Sequence, residues 1–104
     1  MIDYQVDADG VAVITWNIEG RPVNVMNEET VAAFGAAVAR AMADTSAKGV
    51  VIASAKDDFV AGADIEKFLD DQPLDEIIAL SVTMTRITRA METGGKPFCA
   101  AING

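Results

Sequence analysis

The run Gly49-Val50-Val51-Ile52-Ala53-Ser54 constrains the fold most. A continuous, short, β-branched apolar stretch reads as a strand buried on both faces, most often in a parallel sheet. Parallel neighbours need crossover connections, usually helices. The chain supplies helical patterns on both sides of this run. Asn27 is a plausible N-cap, with Glu28 and Glu29 in the first turn where the helix dipole favours acids. Val31, Phe34, Val38 and Met42 follow at spacings of three and four, one apolar face of about four turns. Leu74, Ile77, Leu80, Met84, Ile87 and Met91 form a second stripe. Gly94-Gly95 stops it, and Pro97 prevents a restart.

Strands fill the remainder. Ile2, Tyr4 and Val6 alternate with polar residues, and Asp7-Ala8-Asp9-Gly10 is a turn signal. Val11 to Ile18 then reads as a second strand, making a hairpin with Trp16 in the core or packed at an edge. Phe98 to Ile102 is another short apolar strand. The order strand, strand, helix, strand, helix, strand favours an α/β layout. A chain of 104 residues holds one small domain.

Composition removes several function classes. The net charge is −8, with only eight Lys and Arg, scattered. Nucleic acid and anionic membrane surfaces need clustered cations, so both are disfavoured as partners. No apolar run approaches the roughly 18 residues of a membrane span. There is no His and one Cys, so the commonest metal ligand is missing and no internal disulfide can form. No metal site is expected. Met1-Ile2-Asp3-Tyr4 lacks the basic and apolar regions of a signal peptide, which makes a cytoplasmic location the expectation. Cys99, in an apolar strand, reads as a small core residue.

Phe59-Val60-Ala61-Gly62-Ala63-Asp64-Ile65 is the stretch with chemical promise. Ala61, Gly62 and Ala63 leave the backbone nearly bare. Asp64 is a good N-cap for a short helix over Ile65 to Leu69. Bare backbone next to a helix start suits an oxygen that gains negative charge. A tight turn that needs small residues for packing explains the same letters equally well.

The run Ala61-Gly62-Ala63-Asp64-Ile65, with Phe59 ahead of it, resembles the signature of the crotonase (enoyl-CoA hydratase/isomerase) family. More narrowly it is similar to the hydratase region of the multifunctional alpha subunits of fatty-acid oxidation. Pro22-Val23-Asn24-Val25-Met26-Asn27 looks like the family's early loop. Val50 to Ser54 matches the strand ahead of the ligand loop, and Lys96-Pro97 through Asn103-Gly104 matches a later stretch. Met26 in place of a common Leu, and the bulky Phe98-Cys99 pair, are mild departures.

The resemblance implies stacked strand-strand-helix units, with residues 1–104 as the N-terminal portion of a crotonase-like domain. It implies an acyl-CoA thioester as substrate, with no cofactor. The Ala63 N–H would be one donor to the thioester oxygen. Ala61, Gly62, Asp64 and Ile65 would line the CoA path, Val23 and Val25 would border the adenine, and Lys56 would lie near the phosphates or be a solvated loop lysine. Family hydratases use two glutamates to hold and protonate water, and these, like the second donor, would fall beyond Gly104. Glu66 and Glu92 are not assigned that role. The implied parent activity is enoyl-CoA hydration, from a trimer-based oligomer, with the fragment alone inactive and prone to self-associate. Other superfamily chemistry (isomerase, hydrolase, decarboxylase) and a non-catalytic acyl-CoA-binding or assembly domain are the alternatives.

Overall fold

The computed structural model describes residues 1–64 and 74–104. Strand β1 (Ile2–Val6) pairs antiparallel with β2 (Val11–Trp16), from Ile2 opposite Trp16 to Val6 opposite Ala12. The turn between them is built by Asp7. Its Oδ1 accepts the N–H groups of Asp9 (2.9 Å) and Val11 (3.0 Å), and its carbonyl accepts that of Gly10 (3.2 Å). Gly10 has φ +82°, and a Cβ there would sit 3.1 Å from the Ser46 carbonyl, so conformation and space both demand glycine. β2 stops at Trp16, earlier than the alternation suggested. The Ile18 N–H leaves the ladder and donates to Asn24 Oδ1 at 3.2 Å.

Helix α1 (Glu28–Ala43) crosses from β2 to β3 (Gly49–Ser54), which lies parallel to β2 with Ile14 opposite Ile52. Helix α2 (Leu74–Thr93) leads to the short β4 (Phe98–Ala100), parallel to β3. Among the described residues the sheet runs β1-β2-β3-β4, the α/β layout expected of the sequence. None of the helices described is long and apolar enough to cross a membrane.

The core lies between one face of the sheet and α1. β2 contributes Ala12, Ile14 and Trp16, β3 contributes Val50 and Ile52, and α1 contributes Phe34, Ala37, Val38 and Ala41. Trp16 and Phe34 meet with ring centroids 5.2 Å apart at a 43° tilt, a favoured aromatic geometry. Each large side chain fully buried in this way contributes roughly 1.5–3 kcal/mol. The N-cap of α1 is Asn27: its side chain accepts the Thr30 N–H (3.0 Å), and Thr30 Oγ1 accepts the Asn27 N–H (2.9 Å). Threonine here does what glutamate does in the usual capping box. At the other end, Lys96 Nζ donates to the carbonyls of Ala41 (2.8 Å) and Asp44 (2.6 Å), satisfying groups that a helix end leaves unpaired.

Other expectations differ from the structure as well. β3 is not buried on both faces: Val50 and Ile52 are buried, while Gly49, Val51, Ala53 and Ser54 are half-exposed. Both helices are recruited to one side, because α2 packs on α1 through half-buried Ile77, Leu80, Met84, Ile87 and Met91, while Leu74, at the start of the expected stripe, is 71% exposed because it lies at the helix end. Gly35 permits this approach, since a Cβ there would lie 3.0 Å from Ile87 Cδ1. Cys99 is exposed rather than core. Among the described residues it sits on an edge strand, with its side chain opposite the face that α1 covers.

Candidate functional site

The site grows from the end of β3. Ser54 Oγ donates to the Asp58 carbonyl (2.7 Å) and accepts the Lys56 N–H (3.0 Å), which folds residues 55–58 into a tight loop. Asn103 grips the same loop from β4's side. Its Nδ2 donates to the carbonyls of Lys56 (2.8 Å) and Asp57 (3.1 Å), and its own carbonyl accepts the Phe59 N–H (3.0 Å).

Asn24 fixes the other side. It is completely buried. Its Nδ2 lies within reach of the Trp16 carbonyl (3.2 Å), Ser54 Oγ (2.8 Å) and the Phe59 carbonyl (3.0 Å). One amide thus joins the end of β2, the end of β3 and the start of the small-residue stretch. Sequence reasoning passed over it. The available signal was a single carboxamide inside the apolar Val23-Asn24-Val25 run, which must find partners if buried.

The loops 21–27 and 59–64 then run side by side. The Ala61 N–H donates to the Asn24 carbonyl (2.7 Å), the Met26 N–H to the Gly62 carbonyl (2.7 Å), and the Asp64 N–H to the Met26 carbonyl (2.9 Å). Met26 and Ala63 form a parallel bridge. This pattern aims one group outward. The Gly62–Ala63 peptide is trans, so its carbonyl and its N–H point in opposite directions. The carbonyl faces Met26, and therefore the Ala63 N–H faces away from the 21–27 loop. No hydrogen bond among the described residues uses that N–H, and Ala63 is exposed. Gly62 has φ +116° with nothing within 4 Å of an added Cβ. Its constraint is backbone conformation, with open space beside it.

The neighbouring carboxylate is anchored. Asp64 is 3% exposed, with its Oδ2 3.0 Å from Arg21 Nη1 and 3.3 Å from Asn27 Nδ2. Asn27 thus caps α1 with its oxygen and holds Asp64 with its nitrogen. Lys56 is half-buried, and its Nζ donates to the Arg21 carbonyl at 2.6 Å. That contact ties it down, unlike a solvated loop lysine.

The amides of Ala61 and Asp64 are already committed to the 21–27 loop. Val23 is half-buried and Val25 buried, both in that loop. Ile65, Glu66 and the short helix expected over 65–69 lie outside the described residues. Glu92 is exposed and pairs with Arg89 (3.4 Å) one turn away. Among the described residues there is no cluster of three or more metal-ligating side chains.

The sequence profile of the enoyl-CoA hydratase/isomerase family matches residues 7–104. The chain belongs to that family. Among curated relatives of this family member, the fatty acid oxidation complex subunit alpha of Pseudomonas putida (strain GB-1) is 38% identical over 97 residues. The subunit of the same name from Pseudomonas syringae pv. syringae (strain B728a) is 37% identical over 97 residues. Each alignment covers 91% of this chain and 14% of the relative, so the family member spans only a small part of their length. Among solved structures, an enoyl-CoA hydratase from Mycobacterium smegmatis superposes with a TM-score of 0.88 at 25% identity, covering 99% of this chain and 40% of that one. An enoyl-CoA hydratase/isomerase from Xanthobacter autotrophicus Py2 gives 0.85 at 28% identity, covering 99% and 38%. The fold is therefore crotonase-like, seen over about two fifths of those chains.

Proposed function

We propose that this chain is the thioester-holding part of an enoyl-CoA hydratase of fatty-acid oxidation. The observation that carries the reading is the outward Ala63 N–H, held in place by the bridge to Met26. When water adds to a 2-enoyl thioester, the electron pair of the double bond moves toward the carbonyl and negative charge builds on the thioester oxygen. A fixed N–H aimed at that oxygen stabilises the transition state more than the ground state. Losing one such donor typically costs roughly 3 kcal/mol in barrier.

In this reading Val23, Lys56, Ala61 and Gly62 border the CoA moiety, Val25 supports that border from beneath, and Asp64 acts through its anchoring. Proton transfer and the second donor are left to parts of the fold that this chain, matching about two fifths of the solved neighbours, does not span. A cytoplasmic, trimer-based parent without a cofactor is part of the same proposal. The match to fatty acid oxidation alpha subunits supports the placement in fatty-acid oxidation, and the likeness to a solved enoyl-CoA hydratase supports the choice of hydration.

Calorimetric titration of the chain with butanoyl-CoA, beside a crotonyl-CoA hydration assay, tests the reading. Binding is expected, and Ala63→Pro, which removes the N–H without removing a hydrogen bond among the described residues, weakens it several-fold. Absence of binding, or equal binding by the proline variant with an intact fold, contradicts the reading.

A further inference from the structure

We infer that Arg21, together with Asn27, is a positioning residue: through the buried Asp64 carboxylate it fixes the direction of the Ala63 N–H. The inference rests on Ala63 being the thioester donor. Ala63 follows Gly62, whose φ of +116° lies in a region where glycine moves at little cost. A donor on so pliable a backbone is useful only if both flanking peptides are held, because preorganisation is what makes such a donor effective.

The structure holds both. On one side the Gly62 carbonyl accepts the Met26 N–H, and on the other the Asp64 N–H reaches the Met26 carbonyl. The Asp64 side chain then sets where that second peptide lies. A carboxylate so buried is costly unless paired. Arg21 Nη1 at 3.0 Å and Asn27 Nδ2 at 3.3 Å supply partners, both on the loop that carries Met26. Both partners sit on anchored backbone. The Arg21 carbonyl is tied to Lys56 Nζ at 2.6 Å, and Asn27 is the N-cap of α1. The amide is therefore referenced to the start of α1 through side chains that need not touch the thioester.

The test compares butanoyl-CoA with S-butyl-CoA, a thioether of the same chain without the carbonyl oxygen. The wild-type chain prefers the thioester by roughly fivefold, the size of one hydrogen bond. Arg21→Met loses that preference while binding the thioether as before, and Arg21→Lys regains most of it. In the ligand-free wild type, the 15N heteronuclear NOE of Ala63 equals that of β3.

No preference in the wild type overturns the thioester assignment itself. A wild-type preference that Arg21→Met retains overturns only the positioning role. Should Arg21→Met fail to fold by Trp16 fluorescence, Asp64→Asn takes its place with the same expected loss. A low NOE at Ala63 in the wild type overturns the positioning role without any variant.

Discussion

Asn24→Ala deletes the group on which three segments converge, and its cost can be worked bond by bond. Four contacts vanish: to the Trp16 carbonyl, Ser54 Oγ, the Phe59 carbonyl and the Ile18 N–H. Two of these partners keep other bonds. The Trp16 carbonyl still accepts the Ala55 N–H at 3.0 Å, and Ser54 Oγ still donates to Asp58 and accepts from Lys56. Those two losses are worth about 0.5–1.5 kcal/mol each. The Ile18 N–H and the Phe59 carbonyl lose the partners they have among the described residues, which costs about 1–3 kcal/mol each. The expected destabilisation is roughly 3–9 kcal/mol, a large part of the 5–15 kcal/mol typical of a whole domain. Urea unfolding followed by fluorescence measures it. Trp16 is the sole tryptophan, is buried, and stacks near Phe34, so its signal reports the core. Asn24→Asp is a second probe: it keeps the shape but replaces the donor by a buried charge, and is expected to be at least as damaging. A loss below about 1 kcal/mol for the alanine variant refutes the claim that this amide closes the loop.

Lys96→Met removes the double cap at the end of α1 and is expected to lower stability by about 1–3 kcal/mol in the same assay, with α1 fraying first in hydrogen exchange. Gly94→Ala forces a Cβ against the Met42 side chain and to 2.7 Å from the Ala90 carbonyl, so the melting temperature falls, whereas Gly20→Ala meets no atom within 4 Å and pays only the φ +76° penalty. Hydrogen bonds from the Ser46 hydroxyl, then the Tyr4 hydroxyl and the Ser46 N–H, hold Asp44 down to about 2 from its ordinary 3.8. Its contribution is therefore complete above about pH 4 and is lost as pH falls toward 2, and Ser46→Ala flattens the acid limb of the stability profile. The Tyr4 hydroxyl is pushed up from 10.0, first by burial and then by its bond to Asp44, so its contribution is complete below pH 10 and is lost above it.

Local rules account for what the sequence made legible. The Asp7–Gly10 turn, the Asn27 cap and the apolar stripes of both helices are short-range patterns, and each recurs in the structure except for Leu74, which is exposed. Three features escaped because they depend on distant segments. The one-sided burial of β3 follows from both helices stacking on one face, which the apolar letters of Val50–Ser54 do not encode. Exposure of Cys99 follows from β4 being an edge strand among the described residues. The roles of Asn24 and Arg21 depend on residues 30 or more positions away, at Ser54, Phe59 and Asp64. The small-residue stretch itself was visible as letters. The family resemblance named the Ala63 N–H, and the pairing with Met26 supplies the geometry that turns it outward while committing the amides of Ala61 and Asp64.

Residue-resolved amide hydrogen exchange, without and with butanoyl-CoA, reads that distinction directly. The account predicts fast exchange at Ala63 beside protected Ala61 and Asp64 in the ligand-free chain, and strong new protection at Ala63 once the thioester is bound. Slow exchange at Ala63 before ligand is added, or an unchanged rate at saturation, contradicts it.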